Sequence, residues 1–190
     1  MTTLAPTLST YYFPRISSWL RNQALIIAGS LQVAYFAQIS IPLPFTPIPL
    51  TGQTFAVLLV GAALGSRRGA ASLALYIVEG ALGLPFFAGG VGGLHVLVGA
   101  TAGYLVGFIA ASYVIGRLAE RGLERTVRTS FIPFAVGTLI IYLFGVTWLA
   151  LMLGNLSKAI VAGLLPFIIG DAIKLIAAAL ALPAAWKLVK

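Results

Sequence analysis

The chain reads as a succession of long apolar stretches separated by short polar joints or by runs rich in proline and glycine. The stretches cover residues 22–40, 50–64, 69–84, 94–117, 131–153 and 159–187. Their apolar positions are continuous instead of alternating, which predicts helices and argues against a barrel. A helix crosses the hydrocarbon core in about 20 residues. The second and third stretches fall short of that and predict tilted helices, or helices flanked by protein-covered loops. The expected fold is all-α: a polytopic membrane protein with six transmembrane helices bundled into a single domain.

Composition sharpens this picture. The 190 residues are 60% hydrophobic and only 8% charged, against about 25% charged in soluble domains. Sixteen charged side chains cannot cover a body of this size with a water-facing surface. A soluble enzyme and a disordered tail are both excluded. The absence of cysteine removes disulfides, thiolate metal sites and a cysteine nucleophile.

The net charge of +8 looks at first like a nucleic-acid footprint, but its distribution says otherwise. Arg15 and Arg21 precede the first stretch, Arg67 and Arg68 lie between the second and third, Arg117, Arg121, Arg125 and Arg128 between the fourth and fifth, and Lys187 and Lys190 end the chain. All ten fall on one side of a six-span arrangement, and the opposite loops hold only Lys158. Excess Lys and Arg in short loops marks the cytoplasmic side. Both termini are expected there, with residues 1–21 as a cytoplasmic tail and no nucleic-acid partner. That tail lacks the early basic region and apolar run of a secretory signal.

Two loops on the other side are unusual. Residues 41–53 carry Pro42, Pro44, Pro47 and Pro49, which fix φ and remove donors, so the segment is expected to be extended and stiff. Residues 84–95 read LPFFAGGVGGLH. Both are apolar and longer than a helix hairpin needs, as expected of loops that cover a cavity or dip into the interface. The glycine run lacks the Lys-Ser/Thr of a phosphate loop and lies on the wrong side for ATP. Small residues recur every four positions at Gly99, Gly103 and Gly107, at Gly61 and Gly65, and at Ala24 and Ala28. Such spacing lets helices approach closely. For the fourth stretch this reads as packing within the bundle; Ala24 and Ala28, at the cytoplasmic end beside Arg21, are placed to meet a partner helix.

Ionisable residues inside a span cost about 2.5–3.5 kcal/mol at its centre and are functional candidates. Asp171 and Lys174 stand three residues apart, on one helix face and close enough to pair. Together they suit either a self-neutralising structural pair or a ligand with an acidic tail and an amide-like head. Phe86, Phe87, Tyr76 and Tyr104 are candidate walls for such a site. Glu79, near the outer end of the third stretch, is either an interfacial carboxylate or a site member. If it faced the site, one of the two carboxylates would be protonated, because Glu79 and Asp171 both ionised beside one ammonium repel an anion. His95, the lone histidine, ends the glycine loop and has no metal-ligand spacing around it. Ser30, Ser72 and Ser112 lack the glycine-flanked setting of an intramembrane serine protease.

The segment at residues 48–108, with TGQTF and GLPFFAGGVGG, followed by GDAIK from Gly170, resembles the BioY family, the biotin-specific substrate-binding (S) components of energy-coupling-factor (ECF) transporters. The combination at these separations is specific; any one motif alone is weak. The resemblance implies a biotin-binding subunit that is not an enzyme and carries no cofactor, with biotin as its transported ligand. It implies a transmembrane coupling subunit and ABC-type ATPases as partners and the cell membrane as location. By the same resemblance Asp171 and Lys174 contact biotin, Thr51 and Gln53 match the motif before the second span, Gly89, Gly90, Gly92 and Gly93 match the covering loop, and Ala24 and Ala28 match the partner-contacting motif. Tyr76, Phe87 and Tyr104 complete the expected substrate-binding set. Chemistry pairs Lys174 with the ligand's carboxylate and Asp171 with a ureido N–H. The roles of Glu79 and His95 stay open. So do three other readings: a self-sufficient secondary transporter of a small organic anion driven by protons through Glu79 or Asp171, an S component for another vitamin, and a structural scaffold.

Overall fold

The computed structural model describes residues 18–187; most of the expected tail, with Arg15, and the final Lys190 lie outside the described residues. The first helix, α1, is Ser18–Ala37. It ends in a loop closed by a minimal ribbon, in which β1 (Ser40–Ile41) pairs antiparallel with β2 (Leu50–Thr51), Ser40 opposite Thr51. The four prolines therefore sit inside a hairpin-like excursion, not in one extended strap. Helices α2 (Gln53–Leu64) and α3 (Ser66–Ala81) follow almost without a joint. They are separated by Gly65, whose φ of 83° few other residues would adopt.

Short 3-10 turns at Ala88–Gly90 and Leu94–Val98 lead into α4, Ala102–Ala119. The helix expected to begin at residue 94 thus begins at Ala102. Leu94–Val98 is a separate turn, cut off by the extended backbone at Gly99. Helix α5 is Val127–Leu153, opened by the Thr126 side chain accepting from the Thr129 N–H and closed by left-handed Gly154. The final apolar stretch is not one helix either. It divides into α6 (Leu156–Gly163), a 3-10 turn (Leu165–Phe167) and α7 (Ile168–Lys187). Pro166, within that turn, has no N–H to continue α6.

Among the described residues, Ala102–Ala119, Val127–Leu153 and Leu156–Lys187 are long and apolar enough to cross a membrane, and Gln53–Leu64 is a shorter apolar helix. The bundle is apolar outside as well as inside. Leu139, Leu143 and Leu151 of α5 and Ile169, Ile173, Ile176 and Leu180 of α7 are exposed, as a lipid-facing surface requires. Inside, α4 is central and packs on α2, α3 and α5, while α7 closes against α2 and α5.

Glycine makes these approaches close. A Cβ on Gly103 would run into Trp148, one on Gly107 into Phe144 and Ile141, and one on Gly116 into the Ser66 backbone. The four-residue spacing in α4 therefore serves internal packing. At the Gly116 end, the Ser66 backbone N–H and hydroxyl donate to the Glu120 carboxylate at 2.8 and 2.7 Å, so α4 caps the start of α3. Gly116→Ala is expected to destabilise the bundle by about 1–3 kcal/mol, because the clash is with backbone that cannot rotate away. Thermal unfolding in detergent measures this. Unchanged stability would show that the α3–α4 contact gives more easily than its atoms imply.

Candidate functional site

Pro166 has a second consequence. Restarting the helix at Ile168 puts Asp171 in the first turn of α7, where the unsatisfied N–H groups and helix dipole favour a carboxylate. Lys174 follows on the same face, its Nζ 2.9 Å from Asp171 Oδ1. The pair points away from the exposed isoleucine stripe; the Asp171 side chain is 7% exposed and that of Lys174 19%.

Two other helices complete the cluster. Thr54, in the first turn of α2, donates its hydroxyl to Asp171 Oδ1 at 2.9 Å and accepts from Lys174 Nζ at 3.0 Å. Tyr142 of α5 donates its phenol O–H to Asp171 Oδ2 at 2.5 Å. A buried ion pair loses hydration on both sides and persists only with such added hydrogen bonds. Here α2, α5 and α7 all supply them.

The cluster faces a cavity of about 280 Å³. Pro47, Ile48 and Pro49 border it from the hairpin loop, Phe87, Ala88, Val91 and His95 from the glycine loop, Tyr104 and Phe108 from α4, Ile141 from α5 and Phe167 from the turn before α7. Each helix contributes only through the half near these loops: α2 by its first two residues, α4 by its first two turns. The cavity is thus roofed by loops at one end of the bundle and closed below by packed helices. Its walls are mainly apolar with a few placed polar groups, the make-up of a small-molecule site.

The expected site residues divide into those that line the cavity and those that support the lining. Thr51, Gln53, Phe87, Tyr104, Asp171 and Lys174 line it. Tyr76 stands behind. Its hydroxyl accepts from Gln53 Nε2 at 2.5 Å, and its ring meets Phe87 edge-on, 5.6 Å between centroids. Gln53 is fixed from the other side by the Thr51 hydroxyl, which donates to its Oε1 at 3.0 Å. Tyr104 is anchored by donating to the Gly163 carbonyl at 2.7 Å.

Gly89, Gly90, Gly92 and Gly93 are not among the lining residues; they bend the loop instead. Gly89, Gly90 and Gly93 have positive φ, a Cβ on Gly92 would strike the Leu84 carbonyl, and the Gly93 N–H ties the loop to the Gly80 carbonyl at 2.7 Å. The result presses Phe87 onto Gly80, where only a hydrogen fits. Phe86, also expected as wall, is not a lining residue. Glu79 turns the other way, accepting a hydrogen bond from Ser30 of α1, so it adds no second carboxylate to the site.

Thr54, Tyr142 and Thr101 line the cavity without having been expected there. Thr54 lay within TGQTF and was open to detection. Tyr142 gave no local signal, since it sits alone in a long apolar run. Ala24 and Ala28 are exposed on α1, on the side that also bears Leu20, Ile27 and Leu31. Among the described residues no three His, Asp or Glu side chains gather as a metal site would need.

Comparison with known proteins places the chain. The structure is similar to a crystal structure at 2.1 Å of the S-component for biotin from an ECF-type ABC transporter, with a TM-score of 0.81 over 89% of this chain and 92% of that one; at 22% identity this speaks for the fold. In sequence, the chain is 43% identical to a biotin transporter BioY of Thermotoga maritima over 83% of this chain and 86% of that one. It is 41% identical to a biotin transporter BioY of Rhizobium etli over 74% and 79% respectively. The BioY family model matches residues 6–190. With that model spanning nearly the whole sequence, the chain belongs to the BioY family.

Proposed function

We propose that this protein is the biotin-capturing membrane subunit of an ECF-type importer. One observation carries the reading: the Asp171–Lys174 pair, held by Thr54 and Tyr142, faces a loop-roofed apolar cavity instead of lipid or solid packing. Biotin has a compact bicyclic ring with a polar ureido edge and a hydrocarbon tail ending in a carboxylate. Apolar walls bury the ring body and tail, and the polar cluster discriminates among ligands. No covalent bond is made or broken, so the protein is a transport component and not an enzyme.

The remaining proposals follow from charge and length. Six crossings, the last broken at Pro166, put Arg67, Arg68, Arg117, Arg121, Arg125, Arg128 and Lys187 on the cytoplasmic side. Both termini are then cytoplasmic in a multi-pass plasma-membrane protein, and the cavity opens to the outside. The exposed Ala24–Ala28 face of α1 takes the transmembrane coupling subunit, behind which ABC-type ATPases supply the energy. A proton-driven carrier finds less support. Glu79 is turned away from the cavity and Asp171 is tied to a cation.

Calorimetric titration of the purified protein with biotin is the direct test. Saturable binding at one site per chain is expected. A folded protein that gives no saturable binding would sink the reading.

A further inference from the structure

We propose that the two loops roofing the cavity lie within the outer leaflet, their outward faces against lipid at the boundary between acyl chains and headgroups. The inference rests on the six-crossing reading above. It concerns the surface that the roof turns away from the ligand, to which capture itself assigns no partner.

Helix length sets the depth. Helices α2 and α3 meet at Gly65, beside Arg67 and Arg68, so both are moored at the cytoplasmic interface. A helix rises about 1.5 Å per residue, so the 12 residues of α2 cover about 18 Å and the 16 of α3 about 24 Å. The hydrocarbon core is about 30 Å thick, and tilt shortens the reach further. Both helices thus stop roughly 6–12 Å below the outer edge of the hydrocarbon. What continues outward from them is loop and short turn, residues 38–52 before α2 and residues 82–101 after α3.

Backbone outside a helix is tolerated at that depth only where the protein satisfies its polar groups. Both loops are tied in this way. The Gly52 N–H donates to the Ile39 carbonyl at 2.9 Å, closing the hairpin. Gln38, just past α1, donates its Nε2 to the Pro85 carbonyl at 3.2 Å, and Trp148 of α5 donates its Nε1 to the Gly99 carbonyl at 2.9 Å. The Thr46 hydroxyl donates to the Ala162 carbonyl of α6 at 2.6 Å.

The side chains agree. Neither loop contains an Asp, Glu, Lys or Arg. Every exposed residue from 39 to 52 is apolar, Ile41 and Phe45 among them. In the second loop Leu82, Leu94 and Val98 are exposed, and His95 is the one exposed polar side chain. Surfaces in water rarely gather apolar groups into a patch of this kind. The patch is also continuous with the lipid-facing side of the bundle. Where Thr46 meets Ala162, the neighbouring Val161 and Leu165 are exposed, and they lead to Ile169 and Ile173 of α7. The mouth of the cavity therefore opens at headgroup level and not into bulk water.

The test uses the purified full-length protein, which has no cysteine of its own, in nanodiscs of phosphatidylcholine. Phe45→Cys, Leu82→Cys and Leu94→Cys each carry an environment-sensitive fluorophore. The quenchers are iodide in the buffer and phosphatidylcholine bearing a nitroxide either near the headgroup end or near the middle of its acyl chain. Leu139→Cys, exposed midway along α5, marks the lipid, and Arg121→Cys, exposed between α4 and α5, marks water. At the roof sites the shallow nitroxide should reduce emission about twofold or more, as burial at the boundary requires, and iodide should quench far less than at Arg121→Cys. Iodide quenching equal to that at Arg121→Cys, with none from lipid, overturns the proposal; the bilayer then thins around the short helices and leaves the roof in water. Shielding from both quenchers overturns it as well, because protein such as a second copy would then cover the roof. If the deep nitroxide fails to quench Leu139→Cys, the membrane-crossing reading itself fails, an outcome distinct from the others. Three separate sites keep the answer available should one labelled variant not fold.

Discussion

Lys174→Ala is expected to lower biotin affinity by well over tenfold while the protein still folds. The argument is electrostatic. Removing Lys174 leaves the Asp171 carboxylate buried with only Thr54, Tyr142 and the start of α7 to stabilise its charge. That loss weighs on the free and the bound protein alike and is read as stability. Affinity falls because the ligand loses the ammonium donor that faces the cavity: truncating one partner of a buried charged contact to a bound molecule costs about 2–5 kcal/mol, a loss of about 30-fold or more. Calorimetry on folded protein reads the affinity, and thermal unfolding in the same detergent reads stability. Unchanged biotin affinity would remove Lys174 from the site.

A double replacement separates ligand binding from structure. Exchanging a buried ion pair for apolar residues of similar size is often neutral for stability, so Asp171→Leu with Lys174→Leu should fold and fail to bind. A scaffold with a merely structural pair has no binding to lose.

How much of this was readable in advance depends on the range of each interaction. Asp171 and Lys174 stood out because their spacing is local and their surroundings apolar, and both facts are present in the sequence. The glycine loop was equally visible as a loop. In the fold Gly89, Gly90 and Gly93 supply its curvature, while Phe87 and His95 line the cavity. Tyr142 was out of reach, because its one signal is a hydrogen bond across 29 residues of chain. Two helix boundaries erred for the same reason. Apolar character continues through Leu94–Val98 and through Leu165–Phe167, so hydrophobicity alone joins what Gly99 and Pro166 interrupt. Pro166 could have been read as a break from its missing N–H. That break matters most for function, since it places Asp171 at a helix start.

The proposed partner surface on α1 yields the second large effect. Ala24→Leu combined with Ala28→Leu is expected to abolish stable association with the transmembrane coupling subunit while leaving biotin binding intact. Between membrane helices there is little hydrophobic gain to be had from leaving lipid, so association depends on close backbone approach over small residues. Ala24 and Ala28 are one turn apart and exposed, and neither lines the cavity. Three added heavy atoms at each position would hold the partner helix away. Overpacking costs about 1–3 kcal/mol per site, enough in combination to remove a complex of ordinary affinity. Co-purification with the coupling subunit measures association, and calorimetry on the same variant measures capture. Ala24→Gly with Ala28→Gly, which keeps the surface small, should retain the complex. If the leucine variant co-purifies normally, the coupling subunit docks on another face. If it loses biotin binding as well, α1 acts through the fold, because Gly29 and Ser30 on its inner side pack against Ser72 and Glu79 of α3. Only loss of the complex with capture preserved assigns these two alanines to the partner.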